Sequence, residues 1–383
     1  MINNLRKIGS KISEFIKKVD IALILLSVGL SAFGVAVIYS ATHNNTTRHA
    51  VVQCLGILIG LAAMILVSAI DYEVLLKLWK VYVPLCLLLM ALTYIWGYAP
   101  AGTDNKAWLQ LPGGLLLQPS ELLKLAFIYT LSLHIQTIGD RIKTPKGVLG
   151  LAVHAAVPIG LVLLQRDWGS MMIFVFIFLF IAFSAGVQLR YFAIAFGAAA
   201  VSIPLLWTNV LKTYQKKRIL AVYFPELDPD YDYIYQQIMG KLSIGSGGFF
   251  GKGWLNGPRT QASLVPEQRN DFIIAALGEE FGFLGCLVVL ILIFAILVRI
   301  LNAARSSRNI AGNSICVGVF AIILTQTIIN VGMTLSLVPV IGVTLPFFSS
   351  GGTSVMVSFI SIGMVLGVYN RRERYVFFDK VIR

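Results

Sequence analysis

Apolar runs of about twenty residues recur along this chain, each long enough to cross the hydrocarbon core of a bilayer. They lie near 19–41, 49–70, 77–97, 118–136, 147–165, 168–187, 190–210, 272–299, 313–335 and 353–370. With no water at that depth, backbone polar groups must be satisfied within the segment, so each run is expected to be a helix. Composition agrees: 57% of residues are hydrophobic and 13% charged, with a mean hydropathy of +0.81. A soluble domain of this size could not build a polar skin from so few charges. The expectation is an all-α, polytopic integral membrane protein of about ten transmembrane helices, forming one membrane domain over 1–383.

Basic residues orient it. With the N-terminus inside, Arg6, Lys7, Lys11, Lys17 and Lys18 precede the first span, and the even-numbered connections add Lys77, Lys80, Arg141, Lys143, Lys146, Arg190, Arg299, Arg305 and Arg308. Together with five in the tail 371–383, 19 of the 31 Lys and Arg residues then lie on short cytoplasmic segments, as the positive-inside rule requires. Both termini are therefore expected in the cytoplasm, with 211–271 as the large extracytoplasmic loop. The net charge of +13 is a topology signal; no basic stripe with interleaved aromatics marks a nucleic-acid partner. Segment 1–18 alternates Lys and Arg with Leu, Ile and Phe over 5–18, which suits an amphipathic helix on an anionic membrane surface. Cys54, Cys86, Cys286 and Cys316 all fall in apolar runs without metal or disulfide spacing.

Ionisable groups near membrane depth are costly and usually have a partner or a cavity. Glu121 and Lys124, three apart after Pro119, share a helix face and suit either an ion pair or a polar cavity. Asp167, in the turn Gln165–Ser170, suits a helix cap or a binding role. Asp271, directly before Phe272-Ile273-Ile274, is placed to cap a helix or, as a carboxylate in low dielectric, to act as a general base. On a helix running from Asp271, Glu279 and Glu280 point apart, so at least one of them belongs to packing. Glycines at 245–257 and 351–352 lack the strand–loop–helix context of a nucleotide site; they suit tight turns and close helix approach.

These motifs, in this order, resemble the SEDS family (shape, elongation, division and sporulation) over about 20–370. The resemblance rests on Lys106-Ala107-Trp108, Gln118-Pro119-Ser120-Glu121 with Lys124, Asp167 with Gly169, Ile244 through Gly257, Pro266-Glu267 with Asp271-Phe272-Ile273 and Glu279-Glu280, Asn330 through Thr334, and Pro346 through Ser354. The 244–257 stretch is most similar to the RodA branch. Arg166 and Trp168 depart from the Pro and Leu usual in the family, and Arg269, Asn270 and Ser350 from its usual His, Thr and Tyr.

The resemblance implies a SEDS fold and a bacterial plasma-membrane peptidoglycan glycosyltransferase. Such an enzyme polymerises lipid II onto nascent glycan at the extracytoplasmic face, during elongation and shape maintenance. It makes Asp271 the catalytic carboxylate and general base of an inverting transfer. Lys106, Trp108, Glu121, Lys124, Asp167, Arg218, Glu267 and Arg269 would bind substrate. A divalent cation, magnesium or manganese, near Asp271, Glu121 and Asp167 is compatible with that chemistry, though no motif demands one. Implied partners are a class B penicillin-binding protein, the MreC/MreD elongation complex and membrane lipid. Competing expectations are a lipid II flippase, a division or sporulation paralogue, and a scaffold that only recruits the transpeptidase.

Overall fold

The computed structural model describes residues 19–99, 105–111, 115–209, 211–230 and 233–372. The amphipathic segment 1–18 and the tail from 373 lie outside the described residues. Among the described residues, ten apolar helices make up the bundle: α1 (Ile21–Thr42), α2 (Arg48–Ala69), α4 (Trp79–Trp96), α5 (Pro119–Ile138), α6 (Pro145–Leu164), α7 (Trp168–Ser184), α8 (Leu189–Asn209), α12 (Ile273–Arg305), α13 (Ile310–Thr334) and α14 (Gly352–Tyr369). Nine are long and apolar enough to span a membrane; α7, at 17 residues, is shorter. The expected spans are matched to within a few residues, because length and hydropathy alone decide them.

Smaller elements are α3 (Tyr72–Lys77), the hairpin β1 (Leu109–Leu111) and β2 (Leu115–Leu117), α9 (Thr213–Tyr223), α10 (Tyr235–Gly247) and α11 (Pro258–Gln261). The strands pair antiparallel in the register Leu109–Leu117. Connections alternate between two ends of the bundle. At one end, Arg299 faces Asp20 at 3.5 Å and Arg371 faces Asp71 at 3.2 Å, and the Tyr72 hydroxyl donates to Asn309 at 3.2 Å. The other end gathers the α1–α2 turn, the hairpin, the α6–α7 turn, residues 211–272 and residues 335–351; it is termed the loop face.

Helices α13 and α14 are buried along most of their length, while none of the described side chains of α8 is fully buried. Glycine sets the closest approaches. A Cβ at Gly34 would lie 2.6 Å from the Phe348 carbonyl, and one at Gly363 would lie 2.7 Å from that of Met64. Small residues are what let membrane helices pack backbone to backbone.

The segment 211–271 was expected as one large loop, yet it returns to the bundle. Helix α10 packs against α12, where a Cβ at Gly247 would collide with the Gly278 carbonyl. Helix α12 breaks at Gly282 (φ 66, ψ −165). The backbone groups freed there are taken up by the glycine-rich turn after α10. Phe283 N–H donates to Gly248 at 2.9 Å and Leu284 N–H to Phe249 at 3.1 Å; Lys252 and Gly253 donate to the Glu279 and Glu280 carbonyls at 2.9 Å. A helix break at membrane depth persists only where its polar groups are re-satisfied in this way.

Candidate functional site

Asp271 ends a tight turn that enters α12. Glu267 (φ 53) accepts at its carbonyl from Asn270 N–H at 2.9 Å and Phe272 N–H at 3.2 Å. Three groups from the 330–351 region hold this turn from outside. Asn330 Nδ2 donates to the Asp271 carbonyl at 2.9 Å and to that of Val343 at 2.7 Å. Ser349 Oγ donates to the Asn270 carbonyl at 2.7 Å, and Ser350 N–H donates to that of Arg269 at 2.8 Å. The Asp271 backbone is thus bracketed, whereas its carboxylate takes no hydrogen bond from a described residue. Gly342, at φ 73, leaves space beside it: a Cβ there would lie 3.6 Å from Asp271 Oδ2.

Electrostatics link Asp271 to its neighbours. Burial pushes its carboxyl up to about 7, the anions Glu267 and Asp167 add to the rise, and the Arg218 guanidinium opposes it. Arg218, half-buried on α9, has its own pKa lowered by burial against the counter-pull of Tyr214 and Asp271. The 211–271 segment therefore carries both the carboxylate and the cation that faces it.

Asp167 lies on the other side. It caps α7, with Oδ1 accepting from Ser170 N–H at 3.0 Å, and Oδ2 accepts from Gln118 Nε2 at 2.9 Å. Its pKa is raised by burial, while the Ser170 hydrogen bonds and nearby Lys124 lower it. Pro119 begins α5 at a position where its missing N–H costs nothing, and one turn on Lys124 Nζ meets Glu121 Oε1 at 2.7 Å. The cation is fully buried and the carboxylate nearly so; an ion pair removed from water this far holds only because each partner has the other.

The structure thus brings Glu121, Lys124, Asp167, Asp271, Arg218 and Glu267 into one electrostatic neighbourhood. Arg269 stands 3.8 Å from Glu267. Both line a cavity of about 200 Å³ beneath the α1–α2 turn, with His49, Thr46 and Gln268 in its wall. Lys106 is not among the charges that act on Asp271; it lines a separate cavity with Tyr94, Gln165 and Arg166. Trp108 bridges to Tyr98 at the hairpin's start.

Among the described residues no three His, Cys, Asp or Glu side chains converge to hold a metal ion. Glu121 is committed to Lys124, and Asp167 to Ser170 and Gln118, so the three carboxylates do not act together as donors. Gly342 belongs to no motif singled out in the sequence, and Asn330 and Ser349 were legible only as members of motifs. Their role as a bracket for the Asp271 turn depends on contacts some 60–80 residues away in sequence, as the Asn330 bond to residue 271 and the Ser349 bond to residue 270 show.

Residues 20–374 match the sequence profile of the FtsW/RodA/SpoVE group, described as a cell cycle protein. The chain is 31% identical over 371 residues to a probable peptidoglycan glycosyltransferase FtsW of Geobacter metallireducens, covering 94% of this chain and 96% of the relative. It is also 31% identical over 359 residues to the peptidoglycan glycosyltransferase MrdB of Escherichia coli, covering 92% and 94%. Among solved structures, a chain from a study of how a peptidoglycan synthase complex coordinates polymerization and crosslinking aligns with a TM-score of 0.80 at 27% identity, covering 92% of this chain and 98% of that one. The rod shape determining protein RodA of Thermus thermophilus aligns with a TM-score of 0.69 at 25% identity, covering 93% and 98%.

Proposed function

The chain belongs to the FtsW/RodA/SpoVE family of cell cycle proteins, and from that premise we propose that it is a peptidoglycan glycosyltransferase polymerising lipid II. The observation that carries the chemistry is Asp271: a half-buried carboxylate with no described donor, poised near pH 7 and faced by Arg218. A base serves best when its pKa lies near the working pH. Asp271 takes the proton from an acceptor sugar hydroxyl as that oxygen bonds to the anomeric carbon of the donor. The bond from that carbon to the pyrophosphate oxygen breaks on the opposite face, so configuration inverts and undecaprenyl pyrophosphate leaves. The leaving group gathers negative charge that a fixed cation stabilises; Arg218 has the position for it. Lys124 is neutralised by Glu121, so that pair shapes the wall and tunes Asp167. The polar cavity with Glu267 and Arg269 receives part of a sugar or its peptide.

The positive-inside asymmetry supports an extracytoplasmic loop face, where lipid II is polymerised, and hence cytoplasmic termini in a bacterial plasma membrane. A flippase requires a polar path through both halves. The acidic and basic residues at depth (Glu121, Lys124, Asp167, Asp271, Glu279 and Glu280) all belong to the loop-face half, which favours the enzyme. The similarity to a member of a synthase complex supports a class B penicillin-binding protein as partner. The 244–257 stretch and the RodA likeness favour an elongation role alongside MreC and MreD.

Purified chain with its transpeptidase partner and labelled lipid II should yield glycan strands. Asp271→Asn should yield none while keeping its fold; strands made at the unmodified rate by that variant would overturn the mechanism.

A further inference from the structure

The carboxylate of Asp271 takes no hydrogen bond from a described residue, so its place is set by its backbone. The groups that hold its turn by the carbonyls, Asn330, Ser349 and Ser350, lie at the end of α13 and in the α13–α14 connection, 335–351. The middle of this connection is wedged between two acids. A Cβ at Gly169, two residues after Asp167, would lie 2.6 Å from the Ile341 carbonyl oxygen, and one at Gly342 would lie 3.6 Å from Asp271 Oδ2. A shift of residues 341–342 therefore alters the approach to Asp271 and its spacing from Asp167.

The start of the connection is anchored from α10, by a residue that takes no part in the chemistry. Gln237 is 1% exposed. Its Nε2 donates to the Met333 carbonyl at 3.1 Å and to the Val338 carbonyl at 2.9 Å, tying the last turn of α13 to the connection. Asn330 repeats the arrangement further along, with one amide on the Asp271 and Val343 carbonyls. Two buried amides thus hold the connection at 338 and at 343. One turn after Gln237, Gly240 lies against the neighbour of Asp271: a Cβ there would lie 3.0 Å from the ring of Phe272, which is fully buried. From α9, the Tyr223 hydroxyl donates to the Leu337 carbonyl at 3.2 Å. A buried amide costs free energy unless it is bonded, and the Gln237 amide spends its donors on backbone that leads to Asp271.

We propose that Gln237 is a positioning residue for the transfer. It fixes the connection, and through the connection the Asp271 turn, at the place where an unbonded carboxylate meets the acceptor hydroxyl. This role rests on Asp271 being the general base proposed above. Reacting groups must be held within about half an ångström of the productive geometry, and a misplacement of about 1 Å costs on the order of a hundredfold in rate. A carboxylate with no side-chain bond of its own inherits that precision from the connection.

The test is Gln237→Met, which keeps the volume and removes the amide, in the full chain with its transpeptidase partner. Turnover of labelled lipid II per folded molecule should fall about thirtyfold, with KM within about twofold. A second readout needs no turnover: labelling of Asp271 by a hydrophobic carbodiimide, which takes the protonated acid, read by peptide mass spectrometry from pH 5 to 9. The charges that act on Asp271 are Glu267, Asp167 and Arg218, and Gln237→Met alters none of them. A loosened connection admits water, burial counts for less and the carboxyl ionises at lower pH, so the labelling midpoint should fall by about one pH unit. Gln236→Met, the preceding position on α10, should leave rate and midpoint unchanged. The proposal is overturned by an unmoved midpoint, by an unchanged rate per folded molecule, or by an equal shift with Gln236→Met. If Gln237→Met does not fold, Tyr223→Phe carries the test: Tyr223 is exposed, its hydroxyl is lost at little cost to stability, and an unmoved midpoint again overturns the proposal. Absence of glycan synthesis by the unmodified chain, with the midpoint still moved by Gln237→Met, would sink the polymerase reading and leave the hold of Gln237 on Asp271 standing.

Discussion

Asp271, half-buried, and Glu279, fully buried, are acids at the head of α12, eight residues apart, and their surroundings are opposite. The Glu279 carboxylate is saturated: Thr260 donates its N–H at 2.7 Å and its hydroxyl at 2.6 Å, and Arg259 N–H donates at 3.0 Å. Two of those donors are first-turn backbone N–H groups of α11 that have no partner within the helix, so Glu279 closes a short helix end inside the bundle. The Asp271 carboxylate takes none, while its backbone is tied down on both sides. Burial alone therefore does not mark a reactive acid. A carboxylate whose hydrogen-bond capacity is filled by its own chain is a structural part; one held rigidly with that capacity left open is available to a substrate.

The largest effect should come from removing the open carboxylate. Asp271→Asn preserves shape and the Asn330 bond, which goes to the backbone. Glycan synthesis should fall about a thousandfold, as expected for loss of a general base, with the thermal unfolding midpoint unchanged. Glu279→Ala should do the reverse. Three donors lose their acceptor in the interior, which should cost about 3 kcal/mol or more, read as a lower unfolding midpoint in detergent, with activity lost only in proportion to folded protein. Equal midpoints for the two variants would break the contrast.

Arg218→Met comes next and tests the pairing across the site. The guanidinium favours ionised Asp271, so its removal raises the carboxyl further above 7. The base is active when deprotonated, so the rising limb of the pH–rate profile moves to higher pH. At pH 7 the rate should fall about fivefold from this cause and recover in part at pH 8.5. A loss that is the same at every pH would assign Arg218 to the leaving group alone.

What the sequence made legible follows the range of the interactions. The ten spans come from composition within twenty residues, and Pro119 at the start of α5 and Asp167 as the cap of α7 are local signals that hold in the structure. The Glu121–Lys124 spacing foretold their ion pair for the same reason. The roles of Glu279 and Glu280 were out of reach. Their donors, Thr260 and Arg259 for one and Gln261 and Ser40 for the other, arrive from a turn about twenty residues back and from α1. A helical wheel drawn from Asp271 also starts too early, since α12 begins at Ile273 and breaks at Gly282. Helix α10 escaped because of its glycines, poor helix formers by propensity, of which Gly247 is required by the close approach to Gly278.

The smallest effect tests the surroundings of Asp271 without touching it. Glu267 is largely exposed, and its negative charge raises the Asp271 carboxyl. Glu267→Gln removes that charge but keeps a side-chain oxygen to accept from Asn270 Nδ2, the bond seen at 2.5 Å. The sign is opposite to that of Arg218→Met: with one anion fewer nearby, Asp271 ionises at lower pH and the rising limb moves down. Exposure to solvent screens the charge, so the gain should be modest, about twofold at pH 6 and none on the plateau. The measurement is initial polymerisation rate from pH 5.5 to 8.5 at saturating lipid II. A plateau that falls while the limb stays fixed would show that Glu267 acts by holding the turn or the substrate, and that the field at Asp271 is set by burial and Asp167 without it.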